Sequence, residues 1–193
     1  MSNLIRDYFH EHTRLFKLID NNQIIDLIEC LKKYLDQDKT VFICGNGGSA
    51  HNAEHYQTDW QKMIHSNTGR KLNVDVLTLN TGMATAYSND ICFESIFAEQ
   101  LKVKMKKDDL LICISGSGNS KNLVNATKYA NEISADTYGI LGFDGGMLKN
   151  LCNNYIHVPS FDMQLCEDIH LMICHIVMKS LGNFNLIINK NES

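Results

Sequence analysis

Residues 41–51, Val-Phe-Ile-Cys-Gly-Asn-Gly-Gly-Ser-Ala-His, run an apolar strand directly into a glycine turn, and Ser49 then opens a helix. Such a junction leaves backbone N–H groups pointing outward at a helix start, where the macrodipole favours an anion. Gly45, Gly47 and Gly48 permit positive φ and close approach of a ligand, and Ser49 can cap the helix or hold an oxyanion. The same arrangement recurs downstream. The apolar run Leu110–Ile114 leads into Ser115-Gly116-Ser117-Gly118-Asn119-Ser120 and then a helical pattern. Three hydroxyls in six residues at a helix start suit a phosphate monoester.

Apolar spacing predicts helices over 2–19, 22–36, 49–64, 82–88, 92–105, 120–133 and 162–181, and strands over 40–44, 74–79, 109–114, 137–141 and 154–158. Alternating strands and helices with apolar strands imply an α/β fold: a parallel sheet of five strands covered on both faces. Ligands on such sheets sit at the carboxyl ends of the strands, where both Ser/Gly loops fall. The chain of 193 residues reads as a single domain, with a helical segment at 1–36 and the αβα core at 37–185. The two leading helices precede any strand. They are expected to pack outside the sandwich, with a homo-oligomer interface as the simplest use of their apolar stripes.

A formal charge of −4 argues against nucleic-acid binding through a broad basic surface. Lys102-Val103-Lys104-Met105-Lys106-Lys107 reads as the solvated end of a helix. Neither a bilayer-spanning segment nor a signal-peptide core is evident, so no membrane partner is expected. Seven cysteines lack any Cys-x-x-Cys pair, and Cys44 and Cys113 fall inside apolar strands. That usage points to reduced thiols and a cytoplasmic protein.

Gly45-Asn46-Gly47-Gly48-Ser49, Ser115-x-Ser117-Gly118-Asn119-Ser120 and Asp144-Gly145-Gly146 together resemble the sugar isomerase (SIS) domain family, and within it the phosphoheptose isomerases. The resemblance covers nearly the whole chain. It implies a flavodoxin-like three-layer αβα sandwich, a homotetramer, active sites built between subunits, and conversion of sedoheptulose 7-phosphate to D-glycero-D-manno-heptose 7-phosphate for surface polysaccharide. It implies substrate contacts at Asn46, Gly47, Gly48 and Ser49, at Asn89 and Asp90, and at Ser115, Gly116, Ser117 and Ser120. His55 matches a zinc ligand, and His175 matches a residue that is both zinc ligand and general acid. Three positions depart from the family pattern. Asp59 stands where the family carries its base glutamate, Glu167 where it has a glutamine, and Gly116 where it has a threonine. These bear on which sugar is used, as does a longer stretch over 60–73.

His55 and Asp59, spaced i, i+4, share one face of a helix, and imidazole plus carboxylate suits zinc. Glu167 and His175 are eight residues apart, about 12 Å along a helix axis, so one ion cannot take both from one straight helix. His55, Asp59, Glu167 and His175 make a zinc set if Glu167 and His175 come from different subunits or serve in different roles. Asp59 is the favoured base and Glu167 the second candidate. His170 is assigned to helix packing. Two alternatives stay open: isomerisation of a different sugar phosphate, and a non-catalytic SIS module that binds a phosphosugar or a replication-initiation protein.

Overall fold

The structure, a computed structural model, describes residues 2–186; Met1 and residues 187–193, which the single-domain reading includes, lie outside the described residues. Two helices lead, α1 (Ser2–Phe16) and α2 (Asn21–Lys32). The Asp20 carboxylate caps α2 by accepting from the Asn22 amide. There follow β1 (Thr40–Cys44), α3 (Gly48–Gln57), a π-helical turn at Thr58–Met63, α4 (Ile64–Thr68) and β2 (Asn73–Val76). Next come α5 (Thr81–Asp90), a 3₁₀ turn at Phe93–Ser95, α6 (Ile96–Lys104), β3 (Leu110–Ser115) and α7 (Lys121–Glu132). The chain continues through β4 (Asp136–Leu141), α8 (Leu148–Leu151), β5 (Asn154–His157) and α9 (Met163–Leu181).

All strand pairs are parallel, in the order β2-β1-β3-β4-β5. This is the flavodoxin-like winding, with the direction of progression reversing between β1 and β3. Every residue of β3 is buried, as a central strand covered on both faces requires. Strand alternation divides the core in two. Val41, Ile43, Leu110, Ile112 and Ile114 face a layer made by α2, α3 and α9. Phe42, Cys44, Leu111 and Cys113 face α6 and α7. The thiols of Cys44 and Cys113 meet at 3.7 Å across that second face, and all seven cysteines are free.

Two expectations change here. Ile24, Leu27, Ile28 and Leu31 of α2 are buried in the chain's own core, so α2 belongs to the sandwich, because it covers the face shared by β5 and α9. α1 leaves an apolar stripe exposed at Leu4, Ile5 and Phe9. The helix expected over 49–64 runs on to Thr68 and is under-wound into a π-helical turn at 58–63, ending at Gly69, whose φ of +74° supplies the left-handed cap. No helix among the described residues is long and apolar enough to cross a membrane.

Candidate active site

Both Ser/Gly loops stand at the carboxyl edge of the sheet, after β1 and β3, and enclose a space of about 280 Å³. It is lined by Asn46, Gly47, Gly48, Ser49, Ser115, Gly116, Ser117 and Ser120 of the two loops, with Met163 and Glu167 of α9. Gly47, with φ +55°, turns the chain into α3, which has no side-chain cap. Its first amides are therefore available, and the Ser120 side chain likewise leaves the start of α7 uncapped. An amide pair ties the loops together: Asn46 and Asn122 each donate to the other's Oδ1 at 2.9 Å.

The serine loop is shaped from below. Ser115 Oγ accepts from the Gly118 amide at 3.0 Å, and Asn119 Oδ1 accepts from the Met147 amide at 3.0 Å. A side chain on Gly146 would fall 2.5 Å from the Ser117 carbonyl oxygen, so the Asp144-Gly145-Gly146 turn lies against the serine loop. Its contribution is support of the loop; it does not line the pocket.

The opening turns of α9 press on three glycines at this edge of the sheet: Gly48 at the start of α3, and Gly116 and Gly142 directly after β3 and β4. A Cβ on Gly48 would overlap the Glu167 carboxylate, and one on Gly116 would overlap the Met163 thioether. One on Gly142 would fall 2.5 Å from Cys166 Sγ and 2.7 Å from the Gly116 carbonyl oxygen. Met163 and Gly116 are thus complementary: the room a side chain at 116 would take is filled by the Met163 sulfur.

A second group of side chains converges farther along α9. Asn52 donates to the Glu167 carbonyl at 3.0 Å, Tyr56 to that of His170 at 2.5 Å, and Trp60 to that of Cys174 at 3.2 Å. These bonds fix how the 48–63 helical segment is aligned against α9. At that alignment His55 and His175 point their Nε2 atoms at each other, 3.0 Å apart. Asp59 Oδ2 lies 3.5 Å from the first and 3.7 Å from the second. Ligands placed tetrahedrally about 2.0–2.1 Å from zinc sit about 3.3–3.4 Å from one another, so these separations and this donor set fit a divalent ion. The two imidazoles are 44% and 43% exposed against 13% for Asp59, which leaves the cluster open on its outer side.

A family model described as the SIS domain matches residues 7–142. Over 165 residues the chain is 38% identical to the phosphoheptose isomerase of Clostridium acetobutylicum, covering 83% of this chain and 84% of that one. The chain belongs to the SIS domain family, in its phosphoheptose isomerase branch. Phosphoheptose isomerase 1 of Campylobacter jejuni is 33% identical over 177 residues, covering 91% of this chain and 95% of its own. Among solved structures, that of a phosphoheptose isomerase from Neisseria gonorrhoeae superposes with a TM-score of 0.83 at 26% identity, covering 94% of this chain and 98% of that one.

Within this SIS domain the site residues expected from the sequence fall into three places. The glycine and serine loop residues line one pocket. His55, Asp59 and His175 form a cluster whose ligand atoms lie within 4.8 Å of one another. Glu167 is not in that cluster; it lines the pocket and lies over Gly48. Asn89 and Asp90 are brought to neither place: they are exposed at the end of α5, where Asn89 donates to Asp90 at 2.9 Å. Neither Met163 nor Asn122 was among the site residues expected from the sequence. Asn122 could have been noticed as a polar residue on the buried stripe of α7, where it is 2% exposed. Met163 carried no comparable signal.

Proposed function

We propose that this protein is a metal-assisted aldose–ketose isomerase of phosphosugars, converting sedoheptulose 7-phosphate to D-glycero-D-manno-heptose 7-phosphate through an enediol. The observation that carries the reading is the pairing, in one SIS domain, of a hydroxyl-lined pocket with a His/Asp/His cluster of metal-binding geometry. The serine loop and the start of α7 take the phosphate, through the Ser117 and Ser120 hydroxyls and uncapped amides. The first loop takes the sugar hydroxyls. Held at both ends, the substrate presents its C1–C2 carbons in a fixed orientation, which supplies a large part of the rate enhancement.

The reaction removes a proton from C1 of the ketose, returns one to C2, and moves a hydroxyl proton between O1 and O2. Asp59 is assigned as the base and Glu167 as the alternative, with His175 as the acid at the carbonyl oxygen. His55, Asp59 and His175 would hold zinc, one ion per subunit, with Glu167 as a fourth ligand if a neighbouring subunit supplies it. Held by these residues, zinc would supply Lewis-acid stabilisation of the charge that develops on the carbonyl oxygen.

The protein is read as cytoplasmic and homotetrameric, with no nucleic-acid or membrane partner. The exposed stripe of Leu4, Ile5 and Phe9 supports assembly. Assembly would also supply Asn89 and Asp90 to a neighbour's pocket, since they face solvent here. The Gly116–Met163 complementarity supports the alternative of a different sugar phosphate. The deciding experiment is turnover of sedoheptulose 7-phosphate before and after chelation, with zinc restored. Zinc-dependent turnover is expected. Failure on this sugar but success within a panel of sugar phosphates selects the alternative, and failure on all of them with phosphosugar binding intact selects a non-catalytic module.

A further inference from the structure

Asn122 is a polar side chain shut away from water: it stands second in α7 and is 2% exposed. Its Oδ1 accepts from the Leu123 amide at 3.0 Å. A main-chain N–H can only donate, so the atom that meets it is the oxygen, and the two ends of the Asn122 amide are fixed. The same Oδ1 accepts from Asn46 Nδ2 at 2.9 Å, and Asn122 Nδ2 donates to Asn46 Oδ1 at 2.9 Å. With Asn122 fixed, Asn46 has one way round. Turning its amide over would set oxygen against oxygen and N–H against N–H at a partly buried contact, losing both bonds.

Asn46 lines the pocket beside Gly47 and Gly48, and Asn122 does not. An amide side chain has two N–H groups and two carbonyl lone pairs, and the pair uses one of each. Among the described residues the Asn46 side chain has no other partner, so one N–H and one lone pair remain for a ligand. We infer that Asn122 is a positioning residue: without touching the sugar, it holds the Asn46 amide so that this donor and this acceptor face the sugar in a set order. A hydroxyl can meet either of them, whereas a carbonyl oxygen can meet only the N–H. A fixed amide therefore reads the order of such groups along the sugar, and a freely turning one does not. Fixing it beforehand also spares the cost of ordering a side chain when the ligand binds. The inference rests on the phosphosugar reading of the pocket. In that reading the phosphate is held on the serine loop, so the role of Asn122 is separable from phosphate binding.

The test is turnover of sedoheptulose 7-phosphate by the metal-loaded protein, together with inorganic phosphate affinity by calorimetry, for Asn46→Ala, Asn122→Ala and the double variant. KM reads the whole ligand, and inorganic phosphate reads the serine loop alone. Asn46→Ala should raise KM about tenfold. Asn122→Ala should raise it about fivefold with kcat within about twofold, because Asn46 must then be ordered on binding. The double variant should stay within about twofold of Asn46→Ala, since Asn122 has nothing left to position; independent effects would multiply to about fiftyfold. Phosphate affinity should change less than about twofold throughout. Asn122→Ser, a milder change at the same buried place, is carried alongside, with melting temperatures to establish folding. Effects that multiply in the double variant, or a loss of phosphate affinity in step with KM, overturn the inference, because Asn122 then only holds the loops in shape. An unchanged KM in Asn46→Ala overturns it too, whether or not the variants at 122 fold. Each of these results leaves the phosphosugar reading standing. An unaltered protein that neither turns over the sugar nor binds phosphate removes that reading and the inference with it.

Discussion

Gly142→Ala tests whether the close seating of α9 on the strand ends builds the pocket. Gly142 directly follows β4, and its amide donates to the Ser115 carbonyl at 3.0 Å. An added methyl carbon falls 2.5 Å from Cys166 Sγ, 3.0 Å from Cys166 Cβ and 2.7 Å from the Gly116 carbonyl oxygen. Ordinary van der Waals contact needs about 3.5–4.0 Å. Cys166 is fully buried and its thiol donates to the Ser160 carbonyl at 3.2 Å, so it cannot swing aside without losing that bond. The Gly116 oxygen is main chain, so relief there shifts the serine loop itself.

Overpacking of this kind costs about 1–3 kcal/mol, and the rigid neighbours put Gly142→Ala at the upper end, about 3 kcal/mol. For a chain of this size that is a fall of about 6–12 °C in melting temperature. Gly116→Ala is the control. There the obstructing atoms are the far end of the half-buried Met163 side chain, which can rotate away, so the cost is under about 1 kcal/mol. The assay is urea unfolding of both variants at one protomer concentration, comparing midpoints at constant slope, together with inorganic phosphate affinity. Gly142→Ala should lose both stability and phosphate affinity. If the two variants differ by less than about 0.5 kcal/mol, the seating of α9 is not what holds the loops, and the reasoning fails.

Zinc at about one hundred times its dissociation constant should stabilise the protein by about 2.7 kcal/mol, a rise in melting temperature that chelator reverses and His55→Ala abolishes. An unchanged melting temperature with zinc would remove the metal assignment. Asp59→Asn should lower turnover about a hundredfold or more with a smaller change in KM, and full activity in that variant would pass the base role to Glu167. His170 is buried with neither ring nitrogen hydrogen-bonded, and burial pushes its pKa down to about 4, outweighing the opposing effect of the nearby Leu141 backbone. Because the unfolded chain protonates this ring near pH 6.5 and the folded one only near 4, stability is full above about pH 6.5 and falls as pH drops towards 4, by up to about 3 kcal/mol. His170→Leu should flatten that part of the stability–pH curve; a curve unchanged in this variant contradicts the account.

What the sequence determined by itself is local. Strand and helix alternate at short range, and the glycine turns after β1 and β3 follow from neighbours in the chain, so the parallel sheet and the two loops were legible there. The pairing of His55 with Asp59 was legible too, because four residues of helix put two side chains on one face. The partners of that pair were not. His175 is 120 positions from His55, and they meet because Asn52, Tyr56 and Trp60 bond to carbonyls of α9 at one alignment. The same packing separates Glu167 from the cluster and turns it onto Gly48. It also buries Ile24, Leu27, Ile28 and Leu31 of α2 and leaves Leu4, Ile5 and Phe9 of α1 exposed, although both helices carry apolar stripes of helical period. Periodicity tells a helix which face to bury. Only tertiary packing decides what that face meets, because the contact lies between segments whose separation in sequence imposes no geometry.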